Sequence, residues 1–405
     1  MFVTSLALAG CGSSSATSTD AGRMTHDAAS SEDATGPGDA STATDAAGPE
    51  AGLDAPIETS VDAPGEAAAP AKVVAYASGY GPDIQWLSVD PKTGALSPAG
   101  SLASFGTAPS FLAVDGASTH LYAVDENSPG QVGAYRIDGD AGALAFLGAV
   151  PSGGDGPPFV TVDGAWVLVA NYTSGTVAVL PVKADGSLGD AVDTETVGSL
   201  AHMILPDPSD RFVFVPCKGS DYVAQFTFDK ATGQLTPNAV PHMSTATGAG
   251  PRHLAFHPDG TRAYLIDETD STMSLLSLDA ARGTLAIVQT VSTRAAGATG
   301  TNTAAEVHVH PSGQWLLGSN RGDDDLVVFP LDATGQMGTP RFTKSGGTTP
   351  RDFTLDGTGA FVYAANQGTG NVVVFGFDVS SGALSPTGST VSVAAASFIG
   401  LSPLP

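Results

Sequence analysis

From about Lys72 onward the apolar positions fall in short alternating runs separated by Gly, Asp and Pro, and the whole pattern repeats. Each unit reads as a short strand closing on Asp or His before Pro or Gly, then an aliphatic-aromatic strand closing on a polar pair. An alternating strand such as Val177-Ala178-Val179-Leu180 follows, and then Asp-x-x-x-Gly-x-Leu. Alternation with a period of two, bounded by turn residues, predicts β-strands. The first strand recurs seven times, at Ser110–Asp115, Phe159–Asp163, His202–Asp207, Arg252–His257, Glu306–His310, Arg351–Asp356 and Ser397–Leu401. The second also recurs seven times, at Val73–Tyr76, Leu121–Val124, Val167–Ala170, Phe212–Val215, Ala263–Ile266, Trp315–Ser319 and Phe361–Ala365. A spacing of about 48 residues is that of four-stranded propeller blades.

The two ends decide how the ring closes. The repeats start on a second strand at Val73 and stop on a first strand at Ser397. The C-terminal strand is therefore expected to complete the N-terminal blade, leaving no open seam. The predicted fold is an all-β, seven-bladed propeller of four-stranded blades over 72–405.

Ahead of it the pattern vanishes. Residues 1–11 form an apolar run closing on Leu8-Ala9-Gly10-Cys11, which matches the bacterial lipobox and predicts lipidation at Cys11. Residues 12–71 are almost entirely Ala, Asp, Gly, Ser, Thr, Pro and Glu, a composition that cannot bury enough apolar surface to offset its ordering entropy. A disordered, acidic spacer is expected there. The reading is of a protein held at the cell envelope, outside the cytoplasm, by its lipid anchor alone.

Charge narrows the partners. The formal net charge is −25, with 11 acidic residues and one basic up to position 71 and a net −15 in the remainder. That balance disfavours nucleic acid, which requires a basic footprint. With Cys11 acylated, Cys217 has no disulfide partner, and no Cys/His spacing resembles a zinc site. No cofactor or metal is expected, and the propeller is expected to be monomeric.

Strands one and two of a blade run antiparallel, so the start of one and the end of the other share a face. One ring there reads Ser110, Pro158, His202, Arg252, Ala305, Arg351, Ser397, followed by Phe111, Phe159, Met203, His253, Glu306, Asp352, Phe398. The other reads Gly79-Tyr80, Asp125-Glu126, Asn171-Tyr172, Cys217-Lys218, Asp267-Glu268, Asn320-Arg321, Asn366-Gln367. Taken singly, the Asn residues are turn formers, and the His and Arg residues serve as core and ion-pair groups. Taken together, they suit an anionic carbonyl substrate. Arg252, Arg321 and Arg351 supply anchors and an oxyanion site, and Glu268, Glu306 or His202 a base for water. His253, Asn171, Asn320 and Glu126 join Glu306 and Arg351 as expected substrate contacts.

The chain resembles the 6-phosphogluconolactonase and carboxymuconate-cyclase-like group of seven-bladed propellers. The resemblance is carried by Gly250-Pro251-Arg252-His253-Leu254-Ala255-Phe256-His257-Pro258, Ala305-Glu306-Val307-His308-Val309-His310, Ser319-Asn320-Arg321-Gly322 and Thr349-Pro350-Arg351-Asp352-Phe353. It implies a carboxylic-ester hydrolase that opens a lactone by water attack without a metal, with His202, Arg252, Glu268 and Arg321 as the catalytic set. The chain departs from the group at Ser199-Leu200-Ala201-His202, at Val215-Pro216-Cys217 and at Phe159. With the lipobox, these departures favour an extracytoplasmic sugar lactone. Two other readings remain: a non-catalytic propeller serving as a binding platform, and a calcium site drawn from Asp125, Asn171, Asp267 and Asn320.

Overall fold

The computed structural model describes residues 72–404; the lipobox Cys11, the expected signal (1–11) and the expected spacer (12–71) lie outside them. The described residues form seven four-stranded antiparallel sheets. Blades are numbered here in chain order. Blade 1 combines Val73–Gly79, Asp83–Val89 and Leu96–Ala103 with the C-terminal strand Ala396–Pro403, which pairs antiparallel with Val73–Gly79. The closure expected from the two ends is therefore the one found, and the first blade receives its innermost strand last.

The innermost strands of neighbouring blades pack side by side around a central channel, except at blade 4, where Pro251–Phe256 of blade 5 meets the second strand, Phe212–Cys217. Five of the innermost strands run for five to eight residues, and that of blade 2 is the short Leu112–Val114. The fourth blade differs: its innermost strand shrinks to Leu205–Pro206, plus an isolated bridge between Ala201 and Cys217. His202, expected to begin that strand, instead sits in irregular backbone just after Leu200, whose φ is +59°. That left-handed turn has no glycine to announce it, which is why alternation alone overextends the strand.

Packing between blades explains why the second strand is aromatic. Tyr76, Tyr122 and Tyr264 are fully buried, and each hydroxyl donates to a turn carbonyl of the next blade, at Gly142 (2.8 Å), Gly186 (3.2 Å) and Gly335 (2.7 Å). Burial of one such ring is worth about 2 kcal/mol or more, and the hydroxyl is satisfied at the same time.

The Asp or His that closes strand one caps the turn after it. Asp207 Oδ1 accepts from the Arg211 and Phe212 amides, and Asp356 Oδ1 from the Phe361 amide. His257 and His310 go further, each reaching through Nε2 to a carbonyl of the following blade, Gly313 and Gly359, at 3.0 Å.

Candidate active site

At the upper mouth four innermost strands share one irregularity. Their ladders slip between Pro251 and His253, between Ala304 and Val307, between Pro350 and Asp352, and opposite Ser78/Gly79, where Ser397 is left unpaired. A bulge breaks the alternation of side chains and re-aims them. In blade 5 the consequence is direct, because the consecutive residues Arg252 and His253 both reach blade 6. Arg252 Nη1 donates to Ala305 O at 2.5 Å, and His253 Nδ1 meets Glu306 Oε2 at 2.7 Å.

Glu268 is the hub of the mouth. Its Oε1 lies 2.6 Å from Lys218 Nζ, and its Oε2 lies 3.1 Å from Arg321 Nη2 and 3.3 Å from Arg252 Nε. Burial alone would raise this carboxyl, but Arg321, Arg252 and Lys218 outweigh it and hold it down at about 2. Arg252 is 3 % exposed, and burial together with Arg321 and Arg351 lowers its guanidinium to about 10. Two glycines permit this approach. Gly250 (φ +71°) and Gly322 (φ +134°) take left-handed or related conformations, and a Cβ on either would collide with Thr269 or with the Thr301 carbonyl. The Glu268 amide also donates to Gly250 O at 2.7 Å, which ties the carboxylate's backbone to the turn that presents Arg252.

His202 lies in the same electrostatic field. It is 4 % exposed, its ring meets Tyr172 edge-on at 5.7 Å, and its Nδ1 is 3.1 Å from His253 Nε2. Burial, then Arg252 and His253, push its pKa well below the ordinary imidazole value, so it is neutral at pH 7. Across the mouth, Tyr80 donates to Glu126 Oε2 at 2.7 Å, and the Arg351 guanidinium stands over the Tyr80 ring at 5.3 Å.

The structure thus brings His202, Arg252, Glu268 and Arg321 together, with Arg351 and Glu126 opposite. Other expected substrate contacts fall elsewhere. Both His253 nitrogens are engaged, by His202 and Glu306, so neither is free for a ligand. Asn171 and Asn320 are fully buried at blade junctions; Asn171 donates to Ser152 O and accepts from its hydroxyl, while Asn320 bonds Thr293 and Asp325. Asp125 turns to the Thr107 and Ala108 amides, and Asp267 Oδ2 accepts from the Thr272 hydroxyl at 3.1 Å, so each residue of the calcium reading has a local partner at a turn or junction. Conversely, Lys218, Tyr172 and Tyr80 enter the site without having been singled out. Their position in the second ring was visible, but the 50-residue step from Lys218 to Glu268 is purely tertiary.

Below the mouth, Phe111 packs tilted against Phe159 at 4.4 Å and edge-on against Phe398 at 4.7 Å, with Phe159 edge-on to His253 at 5.4 Å. They line a channel cavity of about 410 Å³ that also touches Glu306, His308 and Asp352. Those three offer ligand-type atoms within 4.8 Å of one another. Two carboxyls so close and so buried must share a neutraliser. Here Asp352 is pushed well above its ordinary value by burial and by Glu306, so a proton serves, while Glu306, lowered against its burial chiefly by His253, stays ionised.

The family description "Lactonase, 7-bladed beta-propeller" matches residues 71–400. This chain belongs to that family. Among family relatives, the 6-phosphogluconolactonase of Bacillus subtilis (strain 168) is 33% identical over 332 residues, covering 78% of this chain and 94% of its own length. That of Pectobacterium carotovorum is 36% identical over 217 residues, 54% of this chain, and the match spans 65% of the relative's length. Among solved structures, the periplasmic gluconolactonase PpgL of Pseudomonas aeruginosa superposes with a TM-score of 0.77 at 30% identity, covering 83% of this chain and 99% of that one.

Proposed function

We propose that this propeller hydrolyses a lactone, sugar-derived or anionic, by attack of water on a carbonyl polarised by arginine. The observation that carries the reading is the convergence of Lys218, Arg252 and Arg321 on Glu268 beside a neutral, buried His202. Glu268, held at about 2, is a weak base and serves to fix the cations. His202 is the base for water, and Arg252 and Arg321 stabilise charge on the carbonyl oxygen. Arg351, opposite them above Tyr80, is placed to anchor a phosphate or carboxylate on those lactones that carry one.

The reaction balances without a co-reactant. A water O–H bond breaks as its proton passes to His202 Nε2 and its oxygen bonds to the carbonyl carbon, whose π pair moves onto oxygen. Collapse then breaks the ring C–O bond, and the departing alkoxide takes the proton from His202, giving a hydroxy acid.

The names of the relatives supply the substrate classes to compare, a phosphorylated and an unphosphorylated gluconolactone. The lipobox at Cys11 and the periplasmic relative together support action at the cell envelope, outside the cytoplasm, by a protein tethered through lipid. There an unphosphorylated sugar lactone is the more coherent substrate. Acid release from a panel of both classes, by the wild type beside an Arg252→Ala, Glu268→Ala double variant, tests the reading. Turnover lost in the variant supports it. No turnover above the spontaneous rate transfers the propeller to the role of a binding platform.

A further inference from the structure

We infer that Glu306 and His253 are positioning residues, which set the tautomer of His202 so that its Nε2 carries a lone pair toward the mouth. The inference rests on the lactonase reading for its purpose, but its geometry stands independently. Glu306 Oε2, His253 Nδ1, His253 Nε2 and His202 Nδ1 form an unbroken line with steps of 2.7 and 3.1 Å, all three side chains being buried.

The proton assignment follows from which groups can donate. Ionised Glu306 can only accept, so His253 Nδ1 carries the hydrogen. In a neutral imidazole the other nitrogen is then an acceptor, and burial with Arg252 lowers His253 to about 4, which keeps it neutral at pH 7. His253 Nε2 therefore receives the hydrogen of His202 Nδ1. Neutral His202 is left with a bare Nε2, for which the structure shows no hydrogen-bond partner among the described residues.

Glu306 is itself fixed from behind. The Val307 amide donates to its Oε1 at 3.1 Å, and its own amide donates to Ser319 Oγ at 3.0 Å. The other ionisable groups facing the line are Arg252, Arg321 and Arg351 on the mouth side, and Asp352 and His308 on the channel side. The arginines discourage a proton on either imidazole, so the line holds one arrangement of hydrogens.

The test is histidine ¹⁵N NMR on the full chain, in parallel with pH-rate profiles. At pH 7 the wild type should show His202 protonated at Nδ1 and bare at Nε2. His253→Phe should scramble that tautomer and lower kcat/KM by about 100-fold. His253→Gln, whose amide oxygen can accept from His202, should restore the tautomer and most of the rate. Far-UV circular dichroism identifies any variant that has not folded, for which Glu306→Gln provides a second break in the line. A wild-type His202 protonated at Nε2, or a His202 tautomer unmoved in both His253→Phe and Glu306→Gln, overturns the inference. Absence of turnover in the wild type would instead overturn the lactonase reading and leave the NMR result to decide the tautomer.

Discussion

Lys218 Nζ and Glu268 Oε1 lie 2.6 Å apart, although they belong to different blades and Glu268 already faces two arginines through its other oxygen. One carboxylate thus neutralises part of three cations in a confined mouth, and its removal should be felt in stability as well as in rate. Glu268→Gln is expected to destabilise the propeller by about 3–5 kcal/mol, the usual effect of stranding a buried charge. Lys218→Met, which leaves both arginines paired, should cost less. Urea unfolding of the two variants side by side checks the order; a larger loss for Lys218→Met would contradict the hub role of Glu268.

The contribution of His253 to stability should fall with acidification. His253 has a folded pKa of about 4 against an unfolded value near 6.5, so between those values the unfolded chain binds the extra proton. Stability then rises with pH across the window, and His253 removes up to about 3 kcal/mol as pH falls from 6.5 through 4. Glu268, depressed to about 2, adds a second loss as pH drops below the ordinary carboxylate range toward that value. In thermal unfolding from pH 7 to 4, the wild type should therefore lose more stability than His253→Gln over the same range. An unchanged slope in that variant would rule out His253 as the cause.

Arg351 offers a way to separate anchoring from chemistry. For a phosphorylated lactone, Arg351→Ala should raise KM by roughly 10- to 100-fold, the worth of a charge-assisted hydrogen bond. For an unphosphorylated sugar lactone of the same ring size KM should hardly move. Steady-state kinetics on the pair decide it, and equal effects on both substrates would place Arg351 outside the anion site.

Cys217 should be chemically silent in the folded protein. It is fully buried, and burial pushes its thiol up to about 12, so almost no thiolate is present at neutral pH. Peptide mapping after treatment with an alkylating reagent should find Cys217 modified only in denaturant. Rapid labelling of the native protein would show that this strand end opens.

The fold was legible because its repeat has a local cause. Asp207 and Asp356 close their strands by capping the next turn, and Tyr76, Tyr122 and Tyr264 bridge neighbouring blades, so selection for these contacts writes a visible period. The rim was legible only as two rings of residue types. It could not separate Asn171 and Asn320, absorbed into blade junctions, from Arg321 and Glu268, which meet. Nor could alternation foresee the bulge that sends Arg252 and His253 to the same neighbour, or the turn at Leu200 that frees His202 from its strand. Those are consequences of how seven blades crowd one axis.

The pairing of Val73–Gly79 with Ala396–Pro403 also sets a timetable. A chain folding from its N-terminal side can assemble six complete blades while the first still lacks its inner edge. Phe398 and Ile399, which face the channel, arrive only with the strand Ala396–Pro403. Joining ends so distant adds little entropy beyond that of a moderate loop, yet it comes late, because non-local pairings wait on everything between them. Until then the protein is an open arc in which Val73–Gly79 keeps one unpaired edge. Its most vulnerable moment is the one just before that last strand docks.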